Sequence, residues 1–244
     1  MRCIGLLAVM WLACSPAWAV PELNVAVAAN FRSTLAPLAE QFEQENDVKV
    51  RLSSGASGAL YTQILHGAPF DLFLSADNER PELLAQQELI IGQPFTYATG
   101  VLAYWQPGVP GESVTKQHFM QWQGRLAMAN PRIAPYGEAA REVLERSERT
   151  DEFGRNIVRG SNILQTFQYV ESGNVAAGFV ALAQLHAFAV PASEYWVVPA
   201  EMHTPILQQG VVLKRTDEPE LARQLVDFLL TQEGALTDAG YRLD

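Results

Sequence analysis

Cysteine is almost missing from this sequence of 244 residues, because its two cysteines are Cys3 and Cys14 and none follows them. Beyond residue 14 the chain can therefore form no disulfide and offers no thiolate to a metal. The four histidines are scattered, and no two of them have the spacing of metal ligands. A disulfide scaffold is excluded, and the spacing gives no sign of a metal centre.

Basic runs and nucleotide-binding motifs are missing as well. The sequence contains no GxGxxG fingerprint and no Walker phosphate loop. From Val20 onward, 16 of the 17 basic residues stand against all 27 acidic residues, a net charge of −11. This balance argues against nucleic acid and anionic membranes as partners, and we expect no cofactor. Any anion site must depend on local dipoles.

One apolar run stands out, and it lies at the very start of the chain. Arg2 precedes the apolar stretch 4–13, and Ala17-Trp18-Ala19 supplies the small residues required before a cleavage site. The pattern predicts a signal peptide over residues 1–19, and hence export to the periplasm. The run is too short for a permanent membrane anchor. Lipid attachment through Cys14 is less favoured, because Trp11 stands where a lipobox usually has leucine.

Beyond residue 20 the chain alternates between short apolar runs and amphipathic segments, which predicts an α/β fold. The stretch SSGASGAL, residues 53–60, joins a strand-like run to helically spaced Leu60 and Ile64. The start of a helix has unpaired N–H groups and a partial positive charge, which suit an anion. Similar turns follow Asn30, precede residue 137 and surround residue 161. Alternatively, Ser57 is an ordinary N-cap.

Two long extended segments predict how the chain is divided. Residues 95–105 look like one extended segment that leads into a second lobe, and residues 204–214 like the return. No linker rich in Gly or Ser separates them. We therefore expect two α/β lobes joined by crossovers, the first formed by residues 20–97 and 206–244 and the second by residues 98–205.

Catalytic motifs are weak. The sequence around Ser57 lacks the second glycine of the nucleophile elbow G-x-S-x-G. Asp71 and Asp77 have no identifiable partner, which favours strand-end bonding and helix capping over acid or base chemistry. We therefore expect a binding protein and not an enzyme, with a hydrolase that uses Ser57 as the remaining alternative.

Five segments together resemble the ModA family, the periplasmic molybdate-binding proteins of ABC transporters. The similarity runs over nearly all of the chain after residue 20, and GAPFDLFLSAD is its most specific part. The segments are VAVAANF (25–31), SSGASGAL (53–60), GAPFDLFLSAD (67–77), RLAMANPRIAPYG (125–137) and AAGFV (176–180).

The resemblance implies a type II periplasmic binding fold, whose two lobes close over molybdate or tungstate and deliver it to the membrane permease of an ABC transporter. It places Asn30 and Ser57 in the site from one lobe, and the backbone N–H groups of Tyr136 and Ile163 from the other. The molybdenum of the oxyanion would be the only metal, and the protein a monomer. Asn30 replaces a common serine, so a side-chain amide would be the donor in place of a hydroxyl. Ala181 replaces a tyrosine whose hydroxyl the Tyr136 side chain would supply instead.

The neutral donors that the resemblance implies also favour one chemical class of ligand. A fully deprotonated oxyanion accepts at every oxygen, whereas hydrogen phosphate would bury a proton without an acceptor. Sulfate has the same charge and shape but is smaller, so donors spaced for a larger tetrahedron favour molybdate. Binding of another oxyanion such as sulfate or thiosulfate remains the alternative.

Overall fold

The computed structural model describes residues 20–109 and 111–243. The predicted signal peptide, residues 1–19, lies outside the described residues, and so does Cys14. The strands are β1 Glu22–Ala28, β2 Lys49–Gly55, β3 Leu72–Leu74, β4 Ile90–Gly100, β5 Leu102–Trp105, β6 Leu126–Ala129, β7 Ile157–Gly160, β8 Gly178–Ala181, β9 Tyr195–Val197 and β10 Ile206–Leu213. The helices are α1 Arg32–Asn46, α2 Ser57–Leu65, α3 Glu79–Gln86, α4 Lys116–Gln121, α5 Pro135–Arg146, α6 Thr150–Phe153, α7 Ile163–Glu171, α8 Leu182–Ala187, α9 Pro219–Leu230 and α10 Glu233–Asp238.

The first lobe is built on a mixed sheet with the strand order β2-β1-β3-β10-β4. Strands β1, β2 and β3 run parallel, and β10 is antiparallel to both β3 and β4. Val25, Ala26 and Val27 of β1 are completely buried, as expected for a central strand covered by helices on both faces. Helices α1 and α9 pack on one face through Leu35, Phe42 and other apolar residues.

The second lobe repeats this plan with the order β7-β6-β8-β5-β9. Strands β6, β7 and β8 are parallel, and β5 is antiparallel to β8 and β9. All four residues of β6 are buried. Aromatic side chains fill the core of this lobe, with Phe119 in contact with both Tyr104 and Phe179. Two α/β lobes, each with a mixed sheet, confirm the predicted fold class.

The chain passes between the lobes at two adjacent places. Val101 alone separates β4, in the first sheet, from β5, in the second. The return passes Pro205 into β10, whose first residue Ile206 pairs with Gly100, the last residue of β4. The two crossovers therefore lie side by side. The predicted lobe boundaries at residues 97/98 and 205/206 remain a prediction, while the sheets change between 100 and 102 and between 197 and 206.

Some elements differ from the sequence-based expectation. The extended segment expected over residues 95–105 begins earlier, at Ile90, and is divided at Val101. Strand β9 and helix α4 were not predicted, because both are short and neither has a clear periodicity. Helix α4 begins with a capping box between Thr115 and His118, in which His118 stands where Glu or Gln is usual.

Candidate functional site

Four helix starts meet in the cleft between the lobes. Strands β1 and β2 of the first lobe lead through short turns into α1 and α2, respectively. Strands β6 and β7 of the second lobe lead in the same way into α5 and α7. Ala28 pairs with Gly55 and Ala129 with Gly160, so the carboxyl ends of the parallel strands lie together in each sheet. Ligands of open α/β sheets bind at such strand ends.

A small cavity lies between these turns. Asn30 and Ser57 approach it from the first lobe, and Tyr136 and Ile163 from the second, so the structure brings all four predicted residues together. Each of the four is buried, with no more than 4% of its surface exposed. The lining consists of Ala28, Ala29, Asn30, Gly55, Ala56, Ser57, Ala76, Ala134, Pro135, Tyr136 and Ile163.

The backbone N–H groups of these four residues are available as donors. Ser57 and Ile163 are the first residues of α2 and α7, and Tyr136 is the second residue of α5 after Pro135. Such positions have no acceptor within their own helix. Among residues 20–109 and 111–243, none of the four N–H groups, including that of Asn30, donates to a protein acceptor. Buried N–H groups without a protein partner are rare, and they need a partner such as a bound ion or an ordered water.

The electrostatics of the cavity favour an anion without any basic side chain. The lining residues are small, apolar or amide- and hydroxyl-bearing, and none carries a charge at neutral pH. The starts of α2, α5 and α7 contribute the partial positive charge of the helix dipole, which stabilises negative charge near the first turn. The cavity is therefore lined with neutral donors that converge from both lobes.

Ser57 contributes its hydroxyl as well as its backbone N–H. Its Oγ accepts a hydrogen bond of 2.9 Å from the Ala76 N–H, which fixes the side chain between β3 and the start of α2. A hydroxyl that accepts one bond retains its own proton for donation. A serine nucleophile requires a hydrogen bond from its hydroxyl to a general base such as a histidine or a carboxylate. In the described part of the chain, Ser57 Oγ has no such bond.

The Asn30 side chain faces the crossovers. Its Nδ2 donates to Gln208 Oε1 at 2.9 Å and to Tyr241 Oη at 3.2 Å. Tyr241 in turn donates to the Asn30 carbonyl at 3.0 Å. The sequence predicted a possible side-chain donor to a ligand, whereas both amide hydrogens are engaged here, so the donor of Asn30 toward the cavity is its backbone N–H.

The Tyr136 hydroxyl also reaches the crossovers. It accepts a bond of 3.3 Å from Gln208 Nε2, and a Cβ added at Gly100 would lie only 2.4 Å from it. Burial, and to a lesser extent the nearby Tyr241, raise the pKa of Tyr136 well above its usual value, so this hydroxyl stays neutral. Tyr136 thus links the second lobe to both crossover strands.

The two aspartates considered as acid or base groups have structural roles. Asp71 Oδ2 accepts from the Asn24 N–H at 2.6 Å, at the end of a strand. Asp77 Oδ1 accepts from the Arg80 N–H at 3.0 Å in the first turn of α3, and its carboxylate also pairs with the Arg80 guanidinium. Both observations confirm the bonding and capping roles predicted from the sequence.

Comparison with known proteins places this architecture in a family. The model of a family described as bacterial extracellular solute-binding protein matches residues 23–242. The molybdate-binding protein ModA of Azotobacter vinelandii is 39% identical over 214 residues, which cover 85% of this chain and 84% of that protein. The chain belongs to the ModA family. The ModA of Rhodobacter capsulatus is 36% identical over 217 residues, covering 88% of this chain and 85% of that protein.

A solved structure agrees with this ModA-family assignment. The periplasmic molybdate-binding protein of Azotobacter vinelandii superposes with a TM-score of 0.85 at 36% identity, over 91% of this chain and 99% of that one. This match confirms the type II periplasmic binding fold. No helix among the described residues is both long enough and apolar enough to cross a bilayer.

As a ModA-family member, the chain departs from the expected pattern at Ala181. This residue ends β8, is fully buried and does not belong to the cavity lining. Sequence reasoning missed Gln208, which is completely buried and bonds to Asn30, Tyr97 and Tyr136. A glutamine at an inward-facing position of a strand is the signal that could have revealed it, because buried amides require partners.

Proposed function

We propose that this protein is a periplasmic binding protein that captures molybdate, and also tungstate, in the cavity between its lobes and delivers it to the membrane permease of an ABC transporter. The observation that carries the proposal is the convergence of four unpaired backbone N–H groups on one uncharged, buried cavity. The names of the ModA relatives supply the identity of the oxyanion.

Hydrogen bonds supply the affinity in this proposal. The backbone N–H groups of Asn30, Ser57, Tyr136 and Ile163, together with the Ser57 hydroxyl, replace the water around the dianion. Bonds from neutral donors to an ionised acceptor are about twice as strong as bonds between neutral groups. The absence of a carboxylate from the cavity lining favours a fully deprotonated oxyanion, because the proton of hydrogen phosphate would find no acceptor there.

The first test is a calorimetric titration of the mature chain and its Ser57→Ala variant with molybdate. We expect the variant to bind about 10- to 100-fold more weakly, because it loses a charge-assisted bond of about 1.5–3 kcal/mol. Ser54→Ala is the matched control, since this serine precedes Ser57 in the same segment but is exposed and outside the lining. The control should bind like the wild-type protein.

The competing ligands are tested on the same samples. Molybdate and tungstate should raise the melting temperature of the mature protein more than sulfate, thiosulfate or phosphate at equal concentration, because a ligand that binds only the folded form stabilises it. A larger shift with sulfate or thiosulfate would replace the proposed ligand. Equal molybdate affinity in Ser57→Ala would remove Ser57 from the site.

The remaining features of the proposal concern the whole chain. We propose that residues 1–19 direct export and are removed before Val20, and that the mature protein acts as a monomer without catalysis. We also propose lobe boundaries at 97/98 and 205/206, so that both lobes share the ligand. Ester hydrolysis that is lost in Ser57→Ala would contradict the binding-only role.

A further inference from the structure

One backbone hydrogen bond crosses the cleft beside the cavity. The Gly58 N–H, in the first lobe, donates to the Ile133 carbonyl, in the second lobe, at 2.9 Å. Ser57, which precedes Gly58, and Ala134, which follows Ile133, both line the cavity. The turns that surround the cavity therefore also bond directly to each other.

The second lobe approaches Gly58 closely. A Cβ built at Gly58 would lie 3.0 Å from the Ile133 Cα and 3.1 Å from Arg80 Nε. The Arg80 guanidinium is paired with the Asp77 carboxylate, and about one seventh of the Arg80 side chain is exposed. The Ile133 Cα belongs to the main chain, so the turn that carries it would have to give by a few tenths of an ångström to admit a Cβ.

The local backbone gives no other reason for glycine. Gly58 is the second residue of α2, and it does not have a positive φ. Alanine is a better helix former than glycine at such a position. Arg80 belongs to the first lobe, but its guanidinium is the end of a long side chain that can shift, whereas the Ile133 Cα is backbone of the second lobe. A substitution here should therefore be opposed mainly when the two lobes are closed.

We propose that Gly58 is a positioning residue that couples ligand binding to closure. Resting on the proposed function, this inference assigns the Gly58–Ile133 hydrogen bond the role of a latch, which forms when the lobes close over the oxyanion. Ser57 binds the ligand while the next residue binds the opposite lobe. Capture of the ligand and closure of the cleft thus occur at consecutive residues of one helix.

The test compares two glycines that occupy the same helical position. Gly58→Ala and Gly58→Leu place side chains of increasing size in the cleft. Gly234→Ala and Gly234→Leu are the matched controls, because Gly234 is the second residue of α10 and a Cβ there would meet nothing within 4 Å. Molybdate affinity is measured by calorimetry, and the unliganded melting temperature reports on the fold.

We expect Gly58→Ala to bind molybdate at least about tenfold more weakly than the wild-type protein, a change of about 1.4 kcal/mol, and Gly58→Leu to bind more weakly still. The unliganded melting temperature of Gly58→Ala should not fall, and both Gly234 variants should keep wild-type affinity. Affinity equal to the wild type in Gly58→Ala would overturn the latch. A lowered unliganded melting temperature would also overturn it, by assigning Gly58 to the fold of its own lobe.

Small-angle scattering separates the latch from a direct loss of ligand contacts. Saturating molybdate should reduce the radius of gyration of the wild-type and Gly234→Leu proteins, but reduce that of Gly58→Leu less. Full compaction of Gly58→Leu would refute the latch. If the wild-type protein itself failed to bind molybdate, the proposed function would be the statement refuted, together with the latch that rests on it.

Discussion

Gln208→Glu would place a titratable carboxyl behind the cavity without changing the size of the side chain. Gln208 has no exposed surface. Its Oε1 accepts from Asn30 Nδ2 at 2.9 Å and from the Tyr97 hydroxyl at 3.1 Å, and its Nε2 donates to Tyr136. A carboxylate here would therefore be separated from a bound dianion by little more than the Asn30 side chain.

The expected effect on binding follows from Coulomb's law. We take roughly 8 Å for the separation and an effective dielectric constant of about 20, which gives about 2 kcal/mol per pair of unit charges. Repulsion of a dianion then costs about 4 kcal/mol, or a loss of affinity of about 10³-fold. Burial should raise the pKa of the new carboxyl, because a low-dielectric site disfavours its charged form.

The assay is a calorimetric titration with molybdate between pH 5.5 and pH 8.5. In Gln208→Glu the affinity should fall as the pH rises through the raised pKa, since the carboxyl loses its proton and becomes negative. The wild-type affinity should be flat over this range, because the cavity lining has no side chain that titrates there. Gln209→Glu adds the same charge to the neighbouring residue, whose amide bonds to Thr96, and should show a much smaller dependence.

The reasoning would be refuted if Gln208→Glu bound molybdate as tightly as the wild-type protein at every pH. That result would mean that the buried amide network does not lie close enough to the bound ligand to influence it. The melting temperature of the variant at the lowest pH, where the carboxyl is neutral, controls for damage to the fold.

Two further predictions concern stability. Arg149→Met should lower the free energy of unfolding by about 2–4 kcal/mol in urea denaturation, because the buried guanidinium donates to the carbonyls of Phe119 and Trp122; an unchanged unfolding midpoint would contradict this. Burial raises the pKa of Tyr241 above its ordinary value, so the unfolded state loses the hydroxyl proton at a lower pH than the folded state does. The free energy of unfolding should therefore fall above about pH 10, by about 1.4 kcal/mol per pH unit for this tyrosine. Tyr241→Phe should make that alkaline slope shallower by this amount, and an equal slope in both proteins would count against the assignment.

The convergence of the four predicted residues on one cleft follows from local patterns. Ser57 and Ile163 stand between a strand-like run and a helical run, and this order alone puts their N–H groups at the start of a helix. Residues at such turns converge because parallel strands share one edge of a sheet. The location of the cavity could therefore be predicted without knowledge of the contacts between the lobes.

The rest of the site depends on contacts between residues far apart in the sequence. The bond from Asn30 to Gln208 joins residues 178 positions apart, and no local pattern indicates that the Asn30 amide turns toward the crossovers. The nearest neighbour of a Cβ at Gly58 is likewise remote in the sequence, because it is the backbone of the opposite lobe. The division at Val101 was missed because apolar residues continue on both sides of it.

The pairing of Gly100 with Ile206 has a mechanical consequence. Two connections that are hydrogen-bonded side by side form a hinge with one axis. They permit the lobes to rotate about that axis but resist sliding or twisting of one lobe relative to the other. The opening of this molecule should thus be described by a single angle. Two pairs of spectroscopic labels at different depths in the cleft should then change their separations in a fixed ratio.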